Sequence, residues 1–256
     1  MNAHPYLQHH LPVAFAHRGG TETGAENTMA AFEHAYDAGL RYMETDVHRT
    51  RDGVLVAFHD RNLRRLAGRD ALISDLSWRD LAAVELRGGG RVPRLDELFE
   101  RWPEVRWNLD PKSDDVVEPL AARLAGSALL ERICVGSFGG RRLKRMRALL
   151  GEGLCSSAAP AEVMRCLARR RGLPVPLRLP PSVRCLQVPH TIRGVPVVDA
   201  GLVRWAHLRG LQVHVWTIDE PAEMETLLDA GVDGIMTDKP MVLRQVLERR
   251  GVWRSE

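Results

Sequence analysis

The feature that most constrains this chain is a phrase it repeats: a helical stretch, a glycine, then a short β-rich run. It stands at 37–46 (DAGLRYMETD), 208–216 (LRGLQVHVW) and 229–237 (DAGVDGIMT). The glycines at 39, 210 and 231 predict C-terminal helix caps before a new strand. The same alternation runs through the whole sequence. Runs at 13–17, 42–48, 106–110, 132–136, 152–156, 184–188, 211–216 and 233–237 predict strands. Amphipathic patterns at 28–38, 94–102, 114–125, 139–149, 160–170, 199–209, 220–230 and 240–249 predict helices. Strand–helix alternation repeated about eight times favours a parallel sheet, and eight is the number of a (β/α)8 TIM barrel. A doubly wound open sheet is the competing fold. No Ser/Gly linker divides the 256 residues, so 1–256 reads as a single barrel domain.

One unit departs from the pattern. Thr50-Arg51-Asp52-Gly53 reads as a tight turn followed by VLVAFHD at 54–60, and Asp-Gly between apolar runs signals a hairpin. The second strand therefore gains an extra partner before its helix. In a barrel this brings residues 58–60 towards the C-terminal rim. The segment 61–93 that follows is too polar for a membrane-inserting helix.

Composition narrows the function classes. The formal net charge is +3, and only three of 36 basic residues are Lys (Lys112, Lys144, Lys239). Arg suits bidentate phosphate recognition. The Arg runs at 141–147 and 169–171 fall on helical patterns with no interleaved aromatics, so they read as solvated faces and no nucleic-acid partner is expected. Four widely spaced cysteines (Cys134, Cys155, Cys166, Cys185) without a CxxC pair read as buried free thiols in a reducing compartment. The start of the chain lacks a charged stretch leading into an apolar one, and no run reaches the ~18 apolar residues a transmembrane segment needs. A cytoplasmic protein is expected.

Glu44 and Asp46 lie two apart in a predicted strand, so both carboxylates share one side. Held close, one would take up a proton unless a cation compensates, and a hard divalent ion with oxygen ligands is the natural partner. An isolated pair of this kind would be rim salt bridges. Here His17 ends the first strand before Arg18-Gly19-Gly20, His59-Asp60 ends the hairpin strand, Asp110 ends the third barrel strand, and Lys112 follows. Two imidazoles, three carboxylates, an Arg and a Lys all fall near strand C-termini, the rim where barrel enzymes place catalysis. They suit phosphoryl transfer: one His as base and one as acid, with cations on the non-bridging oxygens.

These segments resemble the glycerophosphodiester phosphodiesterase family. His17-Arg18-Gly19, Glu26-Asn27-Thr28, Glu44-Thr45-Asp46-Val47, Asp52-Gly53 and His59-Asp60 carry the resemblance. It continues in Asn108-Leu109-Asp110-Pro111-Lys112, VWTI at 215–218 and DGIMTDKP at 233–240, while about 115–205 matches weakly. The resemblance implies a barrel that hydrolyses glycerophosphodiesters, small-molecule substrates, to sn-glycerol 3-phosphate and an alcohol with Mg2+ or Ca2+. It makes His17 and His59 the acid–base pair and Glu44, Asp46 and Asp110 the metal ligands. It puts Arg18 and Lys112 on the phosphate, Glu26 beside His17 and Arg18, and Asp60 against His59 or near the metal. Asn27 and Thr28 would shape the first loop and start the helix.

Trp216 is either an apolar wall for the glycerol or core packing. Gln187 is a candidate polar contact. Asp238-Lys239-Pro240 reads as closing the eighth strand and opening the last helix. Three departures from the family pattern are Asp110 where many members carry Glu, Pro111 beside it, and Asp219 where Asn is expected. Of the other histidines, His4, His9 and His10 read as a flexible tail, His34 and His207 as helical, His190 as loop. His48 is read as loop despite its parity, and His214 as a strand residue of either face. The rival activities are a lysophospholipase D on the same barrel, a non-catalytic phosphate-ester-binding barrel, and a phosphate-binding isomerase.

Overall fold

Alternating strands place one set of side chains inside the sheet and the other against the helices, and both sets are visible in the computed structural model, which describes residues 4–10 and 12–254. The strands are β1 (Val13–His17), β2 (Tyr42–Arg49), β3 (Leu55–Ala57), β4 (Arg106–Pro111), β5 (Ile133–Val135) and β6 (Cys155–Ser157). They continue with β7 (Val183–Pro189), β8 (Thr191–Ile192), β9 (Val195–Pro196), β10 (Gln212–Trp216) and β11 (Gly234–Thr237). Eight of them run parallel in the order β1, β2, β4, β5, β6, β7, β10, β11. β11 pairs back onto β1, with Val13 opposite Gly234 and Ala16 opposite Thr237, which closes the barrel and excludes the open doubly wound sheet.

Helices follow the barrel strands: α1 (Met29–Asp37), α4 (Leu95–Arg101), α5 (Val117–Leu124), α6 (Gly140–Leu150), α7 (Pro160–Arg170), α8 (Ala200–His207), α9 (Pro221–Asp229) and α10 (Pro240–Arg249). Each falls within its sequence-predicted span, except that α6 runs one residue beyond it to Leu150. Gly39, Gly210 and Gly231 all sit at positive φ just past a helix, as capping requires. β6 begins later than predicted because Gly151–Gly153 forms a 3-10 turn ahead of it.

The outer faces of the strands bury Ala16, Met43, Trp107, Leu109, Val135, Leu186, Val213 and Ile235 against the helices. The inner faces make a second cluster of Phe15, Tyr42, Cys134, Cys155, Cys185 and Met236. All four cysteines are free and buried. His214 faces this interior, its ring 4.9 Å from that of Phe15.

The N-terminal segment is not the flexible tail its polarity suggests. Pro5–Leu7 forms a 3-10 turn capped by the His4 side chain, and Tyr6 is fully buried in the inner cluster, edge-on to Tyr42 at 5.2 Å. His4 Nε2 lies 3.0 Å from the carbonyl of Gly153. Tyr6 and Leu7 anchor the segment by burying apolar surface in that cluster.

The Asp-Gly turn does form a hairpin: β3 pairs antiparallel with β2, Val47 opposite Ala57 and Arg49 opposite Leu55. Segment 61–93 then builds two short helices, α2 (Arg64–Ala67) and α3 (Trp78–Ala82). Its Leu63, Ile73, Leu76, Leu81, Val84 and Leu86 pack with Ala25, Val56, Phe58 and Val92 into a satellite core. Among the described residues, no helix is long and apolar enough to cross a membrane.

Candidate active site

Register brings the predicted residues together. In the parallel ladder His17 stands opposite Glu44, and Asp46 opposite Asp110, so β1, β2 and β4 present them side by side at their C-terminal ends. His17 Nε2 is 3.7 Å from Glu44 Oε2. The Lys112 ammonium lies 2.8 Å from Asp46 Oδ1 and 3.1 Å from Asp110 Oδ2, bridging the two.

The Arg18 loop is tightly built. Arg18 takes φ 54°, uncommon for a side-chain-bearing residue, and its amide donates to the Glu44 carbonyl at 3.0 Å and carboxylate at 3.2 Å. Gly19 beside it has φ 79°, and a Cβ there would meet the α1 backbone at 2.9 Å, so only glycine fits. This aims the Arg18 guanidinium at Glu26 Oε1 (3.0 Å) and Asp46 Oδ2 (3.3 Å). Asn27 donates to Asp46 Oδ2 at 3.2 Å and accepts from the Thr45 hydroxyl, while Thr28 caps α1 through the amide of Ala31.

His59 lies beside Asp46 because the amide of Phe58 donates to the Asp46 carbonyl at 3.0 Å. Its Nδ1 is 2.9 Å from Asp60 Oδ1. His48 is part of β2, not loop; it is buried, with Nε2 3.2 Å from the His59 carbonyl, so it supports the turn that carries His59.

Two contacts went unread in the sequence. His17 Nδ1 is 2.6 Å from Asp238 Oδ1, a carboxylate 221 residues away that reaches β1 only because β11 closes the barrel. Asp238 does end β11 ahead of α10 as expected, and Asp219 holds it there, accepting from its amide and from the Thr237 hydroxyl at 2.8 Å each. The second is Arg65 on α2, which pairs with Glu26 at 2.5 Å and Asp60 at 2.6 Å. The sequence signal was present in both: Asp238 at the C-terminal end of a predicted strand, and Arg65 six residues beyond His59.

Gln187 donates to Asn108 Oδ1 at 3.0 Å, in the floor beneath the site. Trp216 packs partly on the interior cluster, and its ring meets Phe138 edge-on at 5.5 Å.

The electrostatics follow from burial. Desolvation, with the neighbouring Asp46 charge, pushes Glu44 up to about 7. Burial also raises Asp110 despite Lys112. Asp46 is buried too, but Lys112, Arg18 and His59 outweigh desolvation and hold it below the usual range. For His17, burial opposes the charged form, yet Glu44 and Asp238 prevail and raise it.

Against this geometry, the comparisons are decisive. Residues 17–242 match the model of the glycerophosphoryl diester phosphodiesterase family. The chain belongs to that family. It is 40% identical to a Mycobacterium tuberculosis protein called probable glycerophosphodiester phosphodiesterase 2, over 97% of this chain and 95% of the relative. It is 31% identical to human lysophospholipase D GDPD1, over 94% of this chain and 87% of the relative. Among solved structures, a Silicibacter pomeroyi putative glycerophosphoryl diester phosphodiesterase superposes with TM-score 0.78 at 21% identity, covering 97% of each chain. An Oleispira antarctica phosphodiesterase in complex with sn-glycerol-3-phosphate superposes with TM-score 0.74 at 22% identity, covering 93% of this chain and 97% of that one. At these identities the two structures bear on the fold, and both share this barrel.

Proposed function

We propose that this family member hydrolyses glycerophosphodiesters to sn-glycerol 3-phosphate and an alcohol. His17 and His59 share the acid–base work, with a divalent cation, Mg2+ or Ca2+, held by Glu44, Asp46 and Asp110. The observation that carries the reading is the pair of imidazoles, each tied through Nδ1 to its own carboxylate at 2.6 and 2.9 Å, beside the buried Glu44 and Asp46 and the partly buried Asp110. An imidazole bonded at Nδ1 leaves Nε2 for the reacting groups.

The trio fits a hard cation. Among the described residues no group of three or more His, Cys, Asp or Glu side chains stands close enough together to hold a metal ion as it lies. Yet Asp110 Oδ1 is buried without a hydrogen-bond partner, and an ammonium bridges Asp46 and Asp110. All three donors are carboxylate oxygens, the ligand class that Mg2+ and Ca2+ take. A cation bound there supplies charge neutralisation at the phosphoryl oxygens.

The chain's own residues do the rest. Arg18 and Lys112 hold the non-bridging oxygens, and Glu26 fixes the Arg18 guanidinium. One imidazole takes a proton from water as its oxygen attacks phosphorus. The other gives a proton to the departing alkoxide as the P–O bond breaks. Trp216 supplies an apolar wall for the glycerol. The name of the M. tuberculosis relative and the product bound in the O. antarctica neighbour support this substrate class. The free buried thiols support a reducing, cytoplasmic setting.

One observation favours a second reading. Phe138 stands 66% exposed against Trp216, an apolar surface beside the site that suits an acyl chain. The likeness to lysophospholipase D GDPD1 supports it. The test is release of glycerol 3-phosphate from glycerophosphocholine, and of lysophosphatidate from lysophosphatidylcholine, in EDTA and with added Mg2+ or Ca2+. Metal-restored turnover that vanishes in His17→Ala and Glu44→Ala is expected. Turnover undiminished by EDTA overturns the metal, and none on either substrate overturns the reaction.

A further inference from the structure

Segment 61–93 interrupts the strand–helix alternation, and its apolar residues build a small core of their own. Its α2 does more. Leu63, fully buried, anchors the start of the helix, and Arg65 projects from it to two carboxylates on two different loops. Arg65 Nη2 lies 2.5 Å from Glu26 Oε1, and Nε lies 2.6 Å from Asp60 Oδ2. The second partners of those carboxylates are the residues placed on the substrate. Glu26 Oε1 also accepts from Arg18 at 3.0 Å, and Asp60 Oδ1 pairs with His59 Nδ1 at 2.9 Å. The result is a line of alternating charge: Asp46, Arg18, Glu26, Arg65, Asp60, His59.

We propose that Arg65 is a positioning residue for the reaction, fixing Arg18 and His59 through Glu26 and Asp60. The guanidinium suits the task. Its planar fork offers donors in fixed directions, so one side chain sets the separation of two carboxylates. Without it, Glu26 keeps only Arg18 and Asp60 only His59, and the loop carrying each cation loses its tie to the other. The satellite core thereby acquires a purpose, which is to hold α2 where Arg65 reaches both. Its neighbour Arg64 points elsewhere and pairs with Asp70 where both are about two-thirds exposed, so Arg64→Ala serves as the control.

The proposal rests on the assignment of Arg18 and His59 to the reaction. It is tested by steady-state hydrolysis of glycerophosphocholine by the full chain. Arg65→Ala is expected to lower kcat/KM by about 10- to 100-fold, the size of loss seen when a supporting partner of a site residue is removed. Arg65→Lys, which keeps charge and stem if the alanine variant misfolds, is expected to fall between, since one ammonium cannot hold both carboxylates in the fork geometry. Because Arg65 acts through its partners, Arg65→Ala combined with Asp60→Asn or Glu26→Gln should lose little beyond the worse single variant. Losses that multiply would overturn the proposal in favour of direct substrate contact. Full turnover in both Arg65 variants, while His59→Ala is inactive, also overturns it. Turnover surviving in His59→Ala and Arg18→Ala would instead sink the assignment on which it rests.

Discussion

Replacing Glu44 by Gln should make the metal-free protein more stable while removing its activity. Glu44 is buried beside Asp46 and titrates at about 7, against 4.5 for a free side chain. A carboxyl whose folded value is raised binds its proton more tightly in the native state than in the unfolded chain. Stability therefore falls as pH rises through the window from about 4.5 to about 7. At roughly 1.4 kcal/mol per pH unit, ionising this one group costs the fold about 3 kcal/mol above the window. Gln keeps the shape and an oxygen for the Arg18 amide, and carries no charge. For a chain of this size that difference corresponds to roughly 6–12 °C in melting temperature. The assay is a thermal melt of both proteins in EDTA at about pH 8 and again near pH 4.5, where the two should coincide. Adding Mg2+ or Ca2+ at the higher pH should raise wild type and leave Glu44→Gln nearly unmoved, reversing their order. A Glu44→Gln protein no more stable than wild type in EDTA at the higher pH would refute the reasoning. So would a difference that does not change with pH.

Two further outcomes follow from the contacts around the rim. Asp238→Ala should lower kcat on glycerophosphocholine by about 10²-fold or more, because His17 loses the bond that aims it, while Asp238→Asn retains an acceptor and part of the activity; equal loss in both variants would show that the charge, not the orientation, matters. Phe138→Ala should reduce turnover of lysophosphatidylcholine by several-fold, on the order of 1 kcal/mol of lost apolar contact, and leave glycerophosphocholine turnover unchanged; parallel losses on both substrates would count against an acyl-chain surface.

What the sequence disclosed and what it hid divide along contact distance. Glu44 and Asp46 were legible as a same-side pair because a strand's period of two needs only local information. His17, Asp110 and Lys112 were legible because the alternation places their strand ends on one rim. Asp238 stood at the end of the last predicted strand but was read only as closing it, and its partner His17 emerges from the pairing of β11 with β1. Arg65 drew no reading, because its reach to Glu26 and Asp60 depends on how segment 61–93 packs, and its neighbour Arg64 is solvated. His48 illustrates the opposite error: the predicted run 42–48 and its parity placed it in the strand, but its position past Glu44 and Asp46 was read as loop, and it proves to be strand. The burial of Tyr6 was hidden because nothing local marks a three-residue turn as the anchor of a chain end.

The charge pattern also gives the proposed cation a task even though Lys112 already bridges two of the acids. Glu44, Asp46, Asp110, Glu26, Asp60 and Asp238 surround the site, against the fixed positive charges of Arg18, Lys112 and Arg65. Even with both imidazoles protonated the acids are in excess, and a phosphodiester brings a further negative charge. Glu44 titrating near neutrality reflects first its burial and then the negative charge of Asp46 beside it. A proton on Glu44 relieves the repulsion but gives a reacting phosphoryl group no counter-charge, whereas a divalent ion on the same oxygens does both. On the proposed function, proton and metal would compete for one carboxylate, and metal affinity should fall as pH drops below about 7.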